Sequence, residues 1–131
     1  MRRGKTKLRA VVALMAVVAA PVYAADQAPQ KSIPLDCKIG PATRIFGGNP
    51  WLIFACTDGH SVVLVSAPGS KAMPFYFIQY WDGAQYKLSG EGTGDKGVTD
   101  AAFNEVKSLT PRDIAQLRTE AANMGRGKVA K

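Results

Sequence analysis

Cys37 and Cys56 are the only cysteines in this chain of 131 residues, and they stand nineteen positions apart. Redox chemistry favours a C-x-x-C spacing with a depressed thiol pKa. A metal site needs further ligands, which a chain with His60 as its one histidine is poorly equipped to supply. The pairing expected of these two cysteines is therefore a structural disulfide, with neither a metal nor a cofactor implied. The other reactive side chains are no better arranged. Ser61 and Ser66 lie in neither G-x-S-x-G nor S-x-x-K, and Ser70-Lys71 is adjacent rather than spaced for a Ser-Lys pair. His60 follows the turn signal Asp58-Gly59, which suits an exposed turn residue better than a buried, oriented base. Asp58, Asp82, Glu91 and Asp95 fall in expected turns and loops, where carboxylates for glycoside hydrolysis could gather, although their spacing is unspecific. Gly92 to Gly97 lacks the Lys-Ser/Thr ending of a phosphate loop, and Gly92-Thr93-Gly94-Asp95 is a single imperfect fragment of a calcium repeat.

The amino terminus says where such a disulfide would form. Arg2, Arg3, Lys5, Lys7 and Arg9 precede an apolar run from Ala10 to Ala20, and Val22-Tyr23-Ala24 places small residues where a signal peptidase reads. Residues 1–24 are expected to be a cleaved secretory signal, which directs the protein to the periplasm or outside a bacterial cell, where disulfides persist. Five of the seventeen Lys and Arg residues leave with it. Twelve then stand against ten acidic residues, a net charge of +2, and they are scattered. A nucleic-acid partner, which needs a clustered basic surface, is not expected. No membrane span is expected after processing. Residues 25–32 read as a flexible leader, 33–125 as one domain, and 126–131 as a basic tail carrying Arg126, Lys128 and Lys131.

Strands are expected first. Trp51 to Thr57 and His60 to Ala67 are rich in apolar and β-branched residues around Asp58-Gly59, which predicts a type I′ hairpin pairing Cys56 with Ser61, Phe54 with Val63 and Leu52 with Val65. Both faces of this hairpin are apolar, as in a strand pair covered on two sides or a sheet that curls on itself. A strand from Leu35 to Ile39 would bring Cys37 to Cys56, and the breakers Gly40-Pro41 and Gly47-Gly48-Asn49-Pro50 leave Arg44 to Phe46 as a short strand. Phe75 to Trp81 and Ala84 to Ser89 flank a second turn at Asp82-Gly83. That register sets Phe77 opposite Leu88, Gln79 opposite Tyr86 and Trp81 opposite Ala84 as a core face. Tyr76, Ile78 and Tyr80 fall on the other face beside Gln85, Lys87 and Ser89. Gly90 to Gly97 reads as a loop.

The period then changes from two to 3.6. Ala102, Phe103, Val106 and Leu109 predict a helix capped by Thr99 or Asp100. Thr110-Pro111-Arg112-Asp113 opens a second, with Ile114, Leu117, Ala121 and Met124 as its apolar stripe and Gly125 at its C-terminal end. Arg112, Gln116, Arg118 and Glu120 are expected to face solvent.

Gly83-Ala84-Gln85-Tyr86, preceded by Asp82, resembles the Ser-Gly-x-x-Tyr motif of the periplasmic membrane-bound and C-type lysozyme inhibitors, with aspartate in place of serine. The resemblance covers five residues and implies a motif loop that enters the lysozyme cleft. The residues themselves predict an α+β fold: an antiparallel meander sheet of four to five strands with two C-terminal helices packed on one face. The function expected is non-catalytic binding of a periplasmic protein, a peptide or an envelope glycan. Its candidate residues are Tyr76, Ile78, Tyr80, Asp82, Tyr86 and Lys87, and a small envelope hydrolase using the loop carboxylates is the competing class.

Overall fold

The computed structural model describes residues 35–127. The expected signal (1–24), the expected leader (25–32) and residues 128–131 of the expected tail lie outside the described residues. Five strands, β1 (Ile39–Phe46), β2 (Asn49–Ala55), β3 (Val62–Ser66), β4 (Phe75–Trp81) and β5 (Tyr86–Gly92), form one antiparallel sheet in the order β1-β2-β3-β4-β5. Two helices follow, α1 (Lys96–Lys107) and α2 (Pro111–Gly127). The meander sheet with two C-terminal helices agrees with the fold expected.

The helices bury one face of the sheet. Trp51, Ile53, Val62, Leu64 and Phe77 point into this layer and meet Ala102 and Val106 of α1 and Ile114, Leu117 and Ala121 of α2. Each large apolar side chain removed from water here contributes about 1.5–3 kcal/mol, so this single layer carries most of the hydrophobic stabilisation. The polar groups that enter it are satisfied, Ser66 by accepting from the Phe75 amide and Thr99 by donating to the Lys96 carbonyl. The Trp51 indole N–H donates to the Phe46 carbonyl at 3.1 Å, and the Gln79 amide donates to the Val106 carbonyl at 3.0 Å, tying the end of α1 to β4.

The β2–β3 register is the one expected, with Leu52 opposite Val65 and Phe54 opposite Val63. Its turn is not type I′, because no residue other than glycine has a positive φ among those described. Instead the Asp58 carboxylate accepts from the His60 and Ser61 amides and ties down a four-residue loop.

Several expectations are corrected. The β4–β5 pairing is shifted by two residues, setting Trp81 opposite Tyr86, Gln79 opposite Leu88 and Phe77 opposite Gly90. The Asp82 carboxylate accepts from the Ala84 and Gln85 amides, which draws both residues into the turn and moves β5 to Tyr86–Gly92. A two-residue shift preserves the faces. The glycine run is therefore partly strand: a Cβ on Gly90 would lie 2.7 Å from the Phe77 ring, so the bare backbone makes room for the aromatic beside it.

β1 is a full strand of eight residues rather than two fragments. The Gly40-Pro41 breaker is absorbed at a register shift between Ile39 and Ala42, and Gly47-Gly48 forms the tight turn into β2, both with positive φ. The N-cap of α1 lies four residues before Thr99 and five before Asp100, the two caps expected. Asp95 is the N-cap, its side chain accepting from the Val98 amide, and Thr99 lies inside the helix and is buried. Gly125 does not end α2. The helix runs on to Gly127, and Gly125 lies where α2 crosses β1, its Cβ position 3.4 Å from the Gly40 nitrogen. Met124, expected in the stripe, is exposed. The start of α2 is as expected: Asp113 accepts from the Thr110 amide and hydroxyl, and the Asp113 amide donates back to Thr110 Oγ1.

Cys37 and Cys56 form a disulfide. The Thr57 amide donates to the Asp36 carbonyl at 2.8 Å beside it, so the entering chain is held to the sheet by a covalent link and a hydrogen bond.

Candidate functional site

The face of the sheet turned away from the helices is uncovered among the described residues, and it is not polar. The strand registers stack its side chains into two cross-strand rows. One runs Thr43, Leu52, Val65, Tyr76, Glu91, and the other Phe54, Val63, Ile78, Ser89. Leu52, Phe54, Val63, Val65 and Ile78 are half-buried, and Tyr80 and Ile45 extend the surface at opposite ends. Ile45 is 61% exposed, Tyr80 44% and Tyr76 40%. Thr43, Lys87, Ser89 and Glu91 border the apolar centre on the two outer strands. An apolar centre bordered by polar groups is the anatomy of a binding surface.

Tyr76, Ile78, Tyr80 and Lys87 of the expected site are brought together on this face. The Tyr76 hydroxyl donates to Glu91 at 3.1 Å, and that bond, together with the nearby negative charge, raises the tyrosine pKa. Lys87 lies 3.3 Å from the Asp82 carboxylate. Asp82 is held below the usual carboxylate range first by the Gln85 and Ala84 amides and then by Lys87, so its role is to shape its turn. Tyr86 belongs elsewhere. It projects to the helix side of the sheet, and its hydroxyl donates to the His60 carbonyl at 3.0 Å. Burial raises its pKa.

Tyr86 lines a cleft of about 530 Å³ between α2 and the turns at Asp58 and Asp82. His60 stacks on Trp81 with ring centres 5.1 Å apart, and Trp81 meets Tyr86 edge-on at 5.0 Å. Ala115 and Ala122 of α2 line the cleft as well, and Arg118 reaches in from the same helix. The expectation that Arg118 and Glu120 face solvent is corrected. Arg118 Nη1 donates to the carbonyls of Cys56 at 3.0 Å and Ser61 at 2.8 Å, and Glu120 takes both ends of a bidentate pair from Arg44 on β1. Sequence reasoning missed the cleft because its rings look like core and turn residues. The available signal was positional: His60 and Trp81 both adjoin turns at the same end of a meander.

The loop carboxylates are dispersed. Asp58 and Asp82 sit at one end of the sheet, Glu91 and Asp95 at the other, and no group of three or more metal-binding side chains occurs among the described residues. No helix among the described residues is long and apolar enough to cross a membrane. Comparison with known proteins finds no matching family model, no matching curated protein and no matching solved structure.

Proposed function

We propose that this chain is an exported, non-catalytic binding protein that docks a protein of the bacterial cell envelope on the uncovered face of its sheet. One observation carries the reading: three adjacent strands present an unbroken apolar surface, with Tyr76 and Tyr80 on it, away from the only layer the helices cover. Leaving such a surface in water is unfavourable, and tyrosines at its margin supply large contact area at low entropic cost. The amino-terminal signal supports a periplasmic or secreted setting. A hydrolase built on the loop carboxylates draws less support, because Asp58, Asp82 and Asp95 each accept hydrogen bonds from their own loops.

The test is capture from a periplasmic extract by the wild type and by a Tyr76→Ala/Tyr80→Ala variant, with circular dichroism confirming that both are folded. Loss of a specific protein partner from the variant supports the reading. Identical captured sets, or capture of glycan alone, would overturn it. An assay of C-type lysozyme inhibition adds a direct check on the turn from Asp82 to Tyr86, which the inhibitor resemblance singles out.

A further inference from the structure

The cleft under α2 lies on the other side of the sheet from the docking face and has its own chemistry. Its only charged lining group among the described residues is Arg118, whose side chain is 19% exposed. Nη1 alone is engaged, by the Cys56 and Ser61 carbonyls. Among the described residues, Nε and Nη2 have no protein acceptor. These two nitrogens form the edge of a guanidinium that takes a carboxylate bidentately. Asp58, whose carboxylate is 4.0 Å from Nη1, approaches the engaged nitrogen, and its oxygens already accept from the His60 amide, the Ser61 amide and the Ser61 hydroxyl. Rings and methyl groups dominate the rest of the lining, with His60, Trp81, Tyr86, Ala115 and Ala122 beside Gly59, Pro111 and Thr119, whose hydroxyl is spent on the Ala115 carbonyl. A volume of about 530 Å³ falls within the size of small-molecule sites.

The geometry points to a binding site for a small ring compound bearing a carboxylate, its acid on the Nε–Nη2 edge of Arg118 and its ring against the His60, Trp81 and Tyr86 side chains. An aromatic acid and an acidic sugar share this chemistry. The proposal does not depend on the docking face, and Tyr76 and Tyr80 play no part in it.

Titrating the ¹⁵N-labelled protein with benzoate and with glucuronate tests it, using benzamide and glucose as their uncharged counterparts. At least one acid is expected to give saturable shifts at Gly59, His60, Thr119 and the Trp81 indole N–H. Its uncharged counterpart should bind at least tenfold more weakly, and the tighter acid identifies the source. Arg118→Lys keeps the charge but loses the fork, and should weaken acid binding. Because Arg118 also holds backbone carbonyls, Ala115→Glu is the second variant: it adds a carboxylate at an exposed helix position on the cleft wall. It should weaken acid binding at least tenfold with an unchanged melting temperature. Absence of saturable shifts with both acids, equal binding of the uncharged compounds, or undiminished binding by the folded Ala115→Glu variant would each overturn the assignment.

Discussion

Arg118 Nη1 donates to the carbonyl of Ser61 at 2.8 Å, although the two residues are 57 positions apart in sequence. The same nitrogen holds the Cys56 carbonyl, so one side chain of α2 clasps both strands at the closed end of the β2–β3 hairpin, beside the disulfide. Ser61 extends the clasp. Its hydroxyl donates to Asp58 Oδ2 and accepts from the Trp81 amide at 2.9 Å, linking this turn to the end of β4.

Ser61→Ala should therefore cost more than one ordinary hydrogen bond. It strips the Trp81 amide of its acceptor and Asp58 of a donor at a fully buried position, and a loss of about 1–3 kcal/mol in urea denaturation is expected. A change below about 0.5 kcal/mol would show that water replaces the hydroxyl freely.

The same site sets a pH dependence. Burial of Asp58 pushes its pKa up, but the Ser61 hydroxyl, the His60 and Ser61 amides and Arg118 together outweigh it, and the net shift is down. A folded-state pKa below the unfolded value stabilises the fold above the unfolded carboxylate pKa, and that contribution is lost as pH falls through the folded value. Asp58→Asn should flatten the acid limb of the stability–pH curve below about pH 4 relative to wild type. An unchanged acid limb would exclude Asp58 as a contributor.

The disulfide closes a loop across nineteen positions, and the chain-entropy model gives such a crosslink about 3 kcal/mol. Under non-reducing conditions Cys37→Ser should lower the melting temperature by on the order of 10 °C, read by circular dichroism. Adding reductant to the wild type should reproduce most of that loss while leaving the variant unmoved.

Much of the fold is legible because burial has a period. Alternation along β2, β3 and β4 places Trp51, Ile53, Val62, Leu64 and Phe77 on one face whatever the turn geometry, and this holds even for β4–β5, where the register moves by two. Turn length is not legible from the dipeptide alone. Asp58-Gly59 occupies the middle of its four-residue loop and Asp82-Gly83 opens one, although both aspartates use their carboxylates on amides two and three residues ahead. On the uncovered face, Tyr76, Ile78, Tyr80 and Lys87 follow from alternation, whereas Ile45 was hidden by glycine and proline signals that the folded chain uses as a bulge and a tight turn. The position of Arg118 depends on which backbone carbonyls α2 meets, and no side-chain pattern encodes that.

The Arg44–Glu120 pair should contribute less than its geometry suggests. It is bidentate, and it raises the arginine pKa and lowers the glutamate pKa. The two side chains nevertheless remain 42% and 32% exposed. Water and salt screen charges that open, so a double-mutant cycle with Arg44→Ala and Glu120→Ala should give a coupling of about 0.2–1 kcal/mol that shrinks in 1 M salt. A salt-insensitive coupling above about 2 kcal/mol would mean the pair is desolvated in solution.

Two adjacent glycines separate backbone strain from steric contact. Gly47 and Gly48 turn β1 into β2 with φ of 59° and 74°. A Cβ on Gly48 meets nothing within 4 Å, whereas one on Gly47 would sit 2.6 Å from the Ala102 backbone nitrogen in α1. Gly48→Ala should cost only the left-handed conformation, about 1 kcal/mol. Gly47→Ala carries that cost and must also push α1 off the sheet, because the obstacle is helix backbone and cannot rotate away. Its loss should exceed that of Gly48→Ala by about 2 kcal/mol or more, with weakened amide-exchange protection concentrated in α1. Equal losses for the two variants would mean that α1 does not pack against this turn in solution.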